Sequence, residues 1–329
     1  MSKPKVWLTR KIHPSAQEKI QAVADIEIWP AETPPTRSDI FQKIPTLDGI
    51  LTLLTDPIDQ EIIARGINLK VISQMAVGFD NIDIPSATYR RIPVGHTPGV
   101  LTETTADFTW ALLMAAARRV AEADQQVRQG IWKPWGPDVF TGADVHGASL
   151  GIIGLGRIGK AVARRARGFS MQIYYFDHNR DLKLEVELGI EFKPLDELIS
   201  NSDFISLHLY YSSETHHLIN RQSFDRMKST AILINTSRGA IVDPQALVWA
   251  LRERKIAAAG LDVFDPEPIP ADHPIRSLEN VVLTPHIASA SKETRRLMAQ
   301  MAAENLLAGL DGRALPYCAN PEVYSHPKS

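Results

Sequence analysis

Short apolar runs alternate along this chain with stretches in which apolar residues recur every three or four positions. Val6–Thr9, Ile26–Trp29, Gly49–Leu54, Val71–Gln74 and Pro93–Gly95 have the length and content of strands. Ser15–Ala24 and Pro57–Arg65, between them, have helical period. After Gly147 the pattern restarts, with strand-like runs at Leu150–Ile153, Met171–Phe176, Phe204–Leu209, Ala231–Asn235, Ala257–Leu261 and Val281–Thr284. Strand–helix alternation of this kind implies parallel sheets covered by helices on both faces. Two such series predict an α/β chain of two doubly wound parallel-sheet domains, which 329 residues can supply.

Between the series, Thr102–Arg128 predicts one long helix, with Thr102 as N-cap and Glu103 in the first turn, favourable to the helix dipole. Gly130–Gly147 is rich in Gly, Trp and Pro and predicts an extended arm. A last helix at about Lys292–Leu310 would carry the chain back to the first domain.

Composition narrows the class of partner. Hydrophobic residues make up 44% and charged residues 22% of the chain, ordinary values for a globular protein with a real core. Lys and Arg number 36 against 38 Asp and Glu, a formal charge of -2. That balance gives no electrostatic reason to expect a nucleic-acid or anionic-membrane partner. Cys318 is the only cysteine, so no intrachain disulfide can form, which fits a reducing cytosol. The opening MSKPKVWLTRKIHPSAQ lacks the apolar core of a signal peptide, and the most apolar helical stretch, Thr109–Ala117, is too short to cross a bilayer. A cytoplasmic protein is expected, and no metal site.

"SLGIIGLGRIGKAVARRARGF" places Gly154, Gly156 and Gly159 in G-x-G-x-x-G spacing. Alone the match is weak. Here it follows an apolar strand and opens a helix with apolar Ile158, Val162 and Ala166. A dinucleotide site needs that setting: a tight turn, close pyrophosphate approach, then helix–strand packing. The helix N-terminus supplies N–H groups for the phosphates. The next strand ends at Asp177, close to the spacing of about 20 residues expected for the ribose-binding acid. A carboxylate there accepts from an adenosine 2′-hydroxyl and repels a 2′-phosphate, so NAD(H) is favoured. His178 and Arg180 could approach a phosphate, which leaves NADP(H) open.

Polar residues also follow three later strands: Arg238 after Ala231–Asn235, Asp262 and Glu267 after Ala257–Leu261, and His286 in "VVLTPHIAS". Open α/β sheets bind ligands at such carboxyl ends. Taken singly they read as a surface arginine, a loop glutamate and a hydrogen-bonded core histidine. Together they could converge on one crevice although distant in sequence.

The stretches "AVGFDNID", "HTPGVLTETTAD", "GIIGLGRIGKAVARRARGF", "LINTSRGAIVD", "GLDVFDPEP" and "VVLTPHIASAS" occur in that order over nearly the full length. In them the chain resembles the D-isomer-specific 2-hydroxyacid dehydrogenase family, and its glyoxylate/hydroxypyruvate reductase branch in particular. The resemblance implies a Rossmann nucleotide domain (101–286) inserted into a flavodoxin-like substrate domain (1–100 and 287–329). It also implies a homodimer, formed through the nucleotide domain and an arm at about 119–147.

Carried over residue by residue, the resemblance implies that Arg238 holds the carboxylate of a small 2-oxo acid. A guanidinium fork suits that task. His286 would protonate the carbonyl oxygen as hydride arrives, or take the proton back from a 2-hydroxy acid. Glu267 would pair with His286 and favour the imidazolium. Asp262 would contact the nicotinamide end. Gly154, Leu155, Gly156, Arg157, Ile158, Gly159, Asp177 and Thr236 would contact the rest of the cofactor. Backbone N–H groups of Val77 and Gly78 would take the substrate carboxylate. Trp135 resembles a tryptophan that reaches the partner subunit's active site; its plainer role is an aromatic anchor on the arm.

There are departures from the family pattern. Tyr210 and Ser213 stand where many relatives have prolines, in a segment that lines the family's adenine pocket. The expected activity is NAD(P)H-dependent reduction of glyoxylate or hydroxypyruvate. Alternatives are another D-2-hydroxyacid dehydrogenase, of pyruvate/D-lactate or phosphite type, or a non-catalytic NAD-sensing protein like the corepressors that share this fold. Val77 in place of a lysine weakens the phosphite option, and Glu267 in place of a glutamine disfavours formate. Nothing here resembles the corepressors' additional tails.

Overall fold

A computed structural model describes residues 2–132 and 134–325. The chain divides into two compact units, Met1–Leu101 with Ala290–Ser329, and Thr102–Ser289. Residues 1 and 326–329 of the expected substrate domain, and residue 133 of the expected arm, lie outside the described residues.

In the first unit β1 (Lys5–Leu8), β2 (Asp25–Ile28), β3 (Gly49–Thr52), β4 (Val71–Gln74) and β5 (Val94–Gly95) form one sheet in the order β2-β1-β3-β4-β5. Every pairing is parallel. β3 and β4 are buried along their whole length, so they read as unbroken apolar runs rather than alternating ones. The crossover helices are α1 (Pro14–Val23), α2 (Arg37–Lys43), α3 (Gln60–Arg65) and α4 (Ile84–Tyr89). Their starts are written locally: Thr36 and Asp39 form a capping box, Asp59 caps α3 through Ile62 N–H, and Asp83 caps α4 through Ser86 N–H.

The second unit begins with α5 (Thr102–Ala117) and α6 (Val120–Arg128). Then follow β6 (Ser149–Ile153), α7 (Arg157–Ala166), β7 (Gln172–Phe176), α8 (Leu182–Leu188), β8 (Glu191–Phe192), α9 (Leu195–Asn201), β9 (Phe204–Leu207), α10 (Arg221–Arg226), β10 (Ile232–Asn235), α11 (Pro244–Arg252), β11 (Ala258–Leu261) and β12 (Val281–Leu283). Its seven strands are parallel, in the order β12-β11-β10-β9-β6-β7-β8. The sequence changes direction of winding at β6, which has β7 on one side and β9 on the other. That is the switch point where open α/β sheets leave a crevice.

Two expectations need correction, and two strands add details. The long helix is two helices: Arg119 turns left-handed at φ 55, and the Ala117 carbonyl accepts from Ala143 N–H at 2.9 Å instead of continuing the ladder. A Cβ on Gly142 would lie 2.2 Å from that oxygen, so a glycine permits the approach. Thr102 is the first helical residue rather than the cap. Finally, β12 lies at the sheet edge and is half-buried, and the two-residue β8 adds a strand that no apolar run announces.

The last helix, α12 (Lys292–Leu310), belongs to the first unit and is capped by Ser291, which accepts from Thr294 N–H. It crosses β3 and β4 closely: a Cβ on Gly309 would fall 2.5 Å from Val71 Cβ. No described helix is long and apolar enough to cross a membrane.

Candidate active site

The glycine loop occupies the turn from β6 into α7. Gly154 has φ 95, and a Cβ there would lie 2.7 Å from the His208 carbonyl oxygen. Gly159 packs so closely that a Cβ would meet the Gly154 oxygen at 2.1 Å. Gly156 differs, because a Cβ there would point into open space. It is also the N-cap of α7 and gives the helix no side-chain cap. Orphan N–H groups of the first turn, with Arg157 exposed and Ile158 half-buried, thus face a space that only glycine keeps clear. Those features fit a pyrophosphate.

Asp177 follows β7, and its Oδ2 accepts from Leu155 N–H at 2.7 Å, tying the acid to the loop. The Leu155 N–H is therefore spent within the protein. Arg180 makes a two-point pair with Glu185, at 2.8 and 3.1 Å. His178 is exposed, with Nε2 4.0 Å from a Glu214 carboxylate oxygen. Thr236 is buried, and its hydroxyl lies 2.9 Å from that of Thr109 on α5. Behind the loop, burial pushes the His208 imidazole down to about 3, and its Nε2 lies 2.8 Å from Ser206 Oγ.

The ends of β10, β11 and β12 bring Arg238, Glu267 and His286 onto neighbouring loops. Arg238 is half-buried, and its Nη1 donates to the Ser237 carbonyl at 2.8 Å. A Cβ on Gly239 would meet the Phe264 carbonyl carbon and oxygen at 2.0 Å, so the arginine loop abuts the loop that carries Glu267. One Glu267 oxygen accepts from Phe264 N–H at 3.3 Å, and the other lies 2.6 Å from His286 Nδ1. With Nδ1–H donated to a carboxylate, Nε2 is the nitrogen left for a substrate.

His286 is no core histidine. Its side chain keeps 26% exposure, and its backbone is left-handed at φ 55. Asp262 holds it there. This residue is fully buried, and its carboxylate accepts from Thr284 Oγ1 at 2.7 Å and from Ile287 and Ala288 N–H at 2.8 Å each. Its carbonyl accepts from His286 N–H at 2.9 Å. The structure thus gives Asp262 the work of anchoring the histidine loop.

Val77 and Gly78 lie in the first unit, on the loop after β4. Gln74 Nε2 donates to the Gly78 carbonyl at 3.0 Å, and His96 Nδ1 lies 3.0 Å from the Val77 carbonyl. Thr52 Oγ1 donates to Gln74 Oε1 at 2.8 Å, so the brace is itself braced. Trp135, in the second unit, is 90% exposed. Gln74, His96, Asn235 and Gly239 were not singled out from the sequence. For Gln74 and Asn235 the readable signal was an amide side chain ending a buried strand just before the site residues, as in "VISQ" and "ILIN".

A family model described as D-isomer specific 2-hydroxyacid dehydrogenase, NAD binding domain, matches residues 110–288. A glyoxylate reductase of Korarchaeum cryptofilum is 53% identical over 98% of this chain and 97% of its own length. The chain belongs to the D-isomer specific 2-hydroxyacid dehydrogenase family. A Thermus thermophilus protein of known structure superposes on this family member with a TM-score of 0.89 at 43% identity, over 96% of this chain and 99% of that one. An NADPH-dependent glyoxylate/hydroxypyruvate reductase of Sinorhizobium meliloti, solved with NADP and malonate, gives 0.85 at 30% identity, over 97% and 98%. In this dehydrogenase the glycine loop, Asp177, Arg238, Glu267 and His286 all fall inside the segment matched to the NAD binding domain.

Proposed function

We propose that this chain is a cytoplasmic, homodimeric reductase of glyoxylate and hydroxypyruvate that prefers NADH to NADPH. The observation that carries the reading is the His286–Glu267 pair at 2.6 Å, on a loop beside that of Arg238. When bound, the reduced nicotinamide supplies a hydride. Arg238 binds the carboxylate of the 2-oxo acid and orients its carbonyl. His286 delivers a proton from Nε2 to the carbonyl oxygen, and Glu267 stabilises the imidazolium that does so. In the first unit, the loop of Val77 and Gly78 offers backbone N–H groups to an anion of the same class.

The cofactor preference rests on the adenosine end. Asp177 presents a carboxylate there, Arg180 is already paired with Glu185, and His178 lies beside an acid. A 2′-phosphate would therefore meet negative charge. The dimer rests on Val120, Val127, Ile131, Trp132, Trp135 and Val139, all exposed within one stretch. Beside them a groove of about 750 Å³ runs between α6 and the edge strand β12. Apolar surface so concentrated marks an interface. Trp135 is offered to the partner subunit there.

Initial rates of glyoxylate-dependent oxidation of NADH and NADPH, for the native chain and His286→Ala, test the reading. NADH should be the faster cofactor, and the mutant should lose about 10²–10⁴-fold in turnover with NADH affinity unchanged. Undiminished turnover in His286→Ala would remove the proton-donor role. Faster NADPH oxidation would reassign the adenosine pocket to His178 and Arg180.

A further inference from the structure

Asn235 ends β10 and is 1% exposed. Its Oδ1 accepts from Ser237 N–H at 3.0 Å and from Ser237 Oγ at 2.8 Å, while its Nδ2 donates to the Arg238 carbonyl at 2.8 Å. The side chain thus encircles the turn that launches Arg238. Oxygen faces two donors and nitrogen faces an acceptor, so only this orientation of the amide satisfies its neighbours. The Asn235 carbonyl accepts from Asp262 N–H at 2.9 Å, and the Asp262 carbonyl accepts from His286 N–H at 2.9 Å. One run of hydrogen bonds therefore joins the arginine turn to the histidine loop across three strand ends.

We infer that Asn235 is a positioning residue for the reduction: its amide sets the turn from which the Arg238 guanidinium grips the substrate carboxylate. The inference rests on the reading of Arg238 as the carboxylate anchor. Neither aspartate nor alanine can replace the amide. Aspartate keeps the two acceptor bonds but turns a carboxylate oxygen on the Arg238 carbonyl. Alanine leaves the Ser237 N–H without its acceptor in a buried setting and strips the Arg238 carbonyl of its short bond, leaving it only Ile241 N–H at 3.4 Å. A displacement of about 1 Å in a substrate-positioning group costs on the order of 10²-fold.

Asn235→Asp and Asn235→Ala, each alone and combined with Arg238→Ala, decide the matter through steady-state kinetics with glyoxylate and NADH titration. Expected is a fall of about 10- to 100-fold in kcat/KM, with a raised KM for glyoxylate. NADH affinity should stay within about twofold, and the pH profile should not move, since His286 and Glu267 are untouched. In the Arg238→Ala background the same changes should add little, because they act through the arginine.

Native kinetics in Asn235→Asp, an equal loss without Arg238, or a parallel loss of NADH affinity would each overturn the inference. If Arg238→Ala by itself keeps native kcat/KM, the reading of Arg238 fails and takes the inference with it. If Arg238→Ala is damaged while Asn235→Asp is not, the inference alone fails. Should both Asn235 variants misfold, Ser237→Ala removes one of the three bonds, and a several-fold rise in KM decides in its place; an unchanged KM overturns.

Discussion

In the first unit the chain leaves β1 through Thr9, Arg10 and Lys11, whereas in the second it leaves β6 through Gly154, Leu155 and Gly156. Both strands sit at the point where the winding of a parallel sheet reverses, with later strands on either side. The two crests are built for different work. Thr9 spends its hydroxyl on Asp56, and α1 is capped by His13, whose side chain accepts from Ser15 N–H. At the start of α7 no side chain caps the helix, and Gly156 keeps the approach open. One topology therefore offers two crevices, and a few residues at the crest decide which can take a dinucleotide. Fold and function separate at that scale.

The contrast breaks most sharply at the glycines. Gly154→Ala should cost about 1–3 kcal/mol, because a side chain at φ 95 is strained, and it should lose NADH binding as well. Gly156→Ala should leave the melting temperature unchanged yet weaken NADH at least tenfold, since its methyl fills only the space the cofactor needs. Thermal denaturation and fluorescence titration of the two variants separate these outcomes. Native NADH affinity in Gly156→Ala would show that the crest loop is not what distinguishes the units.

A second contrast lies in charge. The first unit props its loop with the neutral Gln74, Thr52 and Asn81, while the second sets an acid against a histidine. Reduction consumes a proton, and His286 with its carboxylate partner is placed to deliver it. Glu267→Gln keeps the size of the side chain but removes the negative charge 2.6 Å from His286 Nδ1, and turnover with glyoxylate and NADH should fall several-fold. Turnover equal to that of the native chain would take Glu267 out of this role.

The last contrast concerns titratable groups drawn away from water. His208, pushed down to about 3 by burial, stays neutral in the fold while the unfolded chain takes up a proton near its usual 6.5. The unfolded state then binds more protons, so stability should fall as pH drops below about 6.5, by up to about 1.4 kcal/mol per unit. His208→Gln should flatten that slope. Asp56 works with the opposite sign. Burial pushes its carboxyl up, so the folded state holds the proton more tightly, and the contribution is favourable in acid and lost as pH rises through its titration. Asp56→Asn should remove the gain in acid while leaving stability at neutral pH level or slightly higher. Urea denaturation between pH 4 and 8 reads both; slopes unaltered in both variants would discard this account.

Much of the fold was legible. Five apolar runs in the first series and six in the second all became strands, and the glycine spacing became the turn from β6 into α7. What escaped was set by partners far along the chain. The break between α5 and α6 depends on Ala143 reaching the Ala117 carbonyl, and no helix propensity at Arg118 or Arg119 reports that. The two-residue β8 exists because Lys193 N–H finds the Tyr175 carbonyl at 2.9 Å. The work of Asp262 as acceptor for three donors from the 284–288 loop is likewise written in no local pattern.

Periodicity, turn chemistry and residue type are local properties. The sequence by itself therefore determined the alternation of strands and helices, the α/β class, the glycine turn and the kinds of group available for chemistry. Sheet order, the join between the Gly239 and Phe264 loops, and the 2.6 Å contact of His286 with Glu267 were decided only by the tertiary structure. Each depends on strands distant in sequence being hydrogen-bonded side by side, so their loops arrive at one edge. No window of residues contains that information.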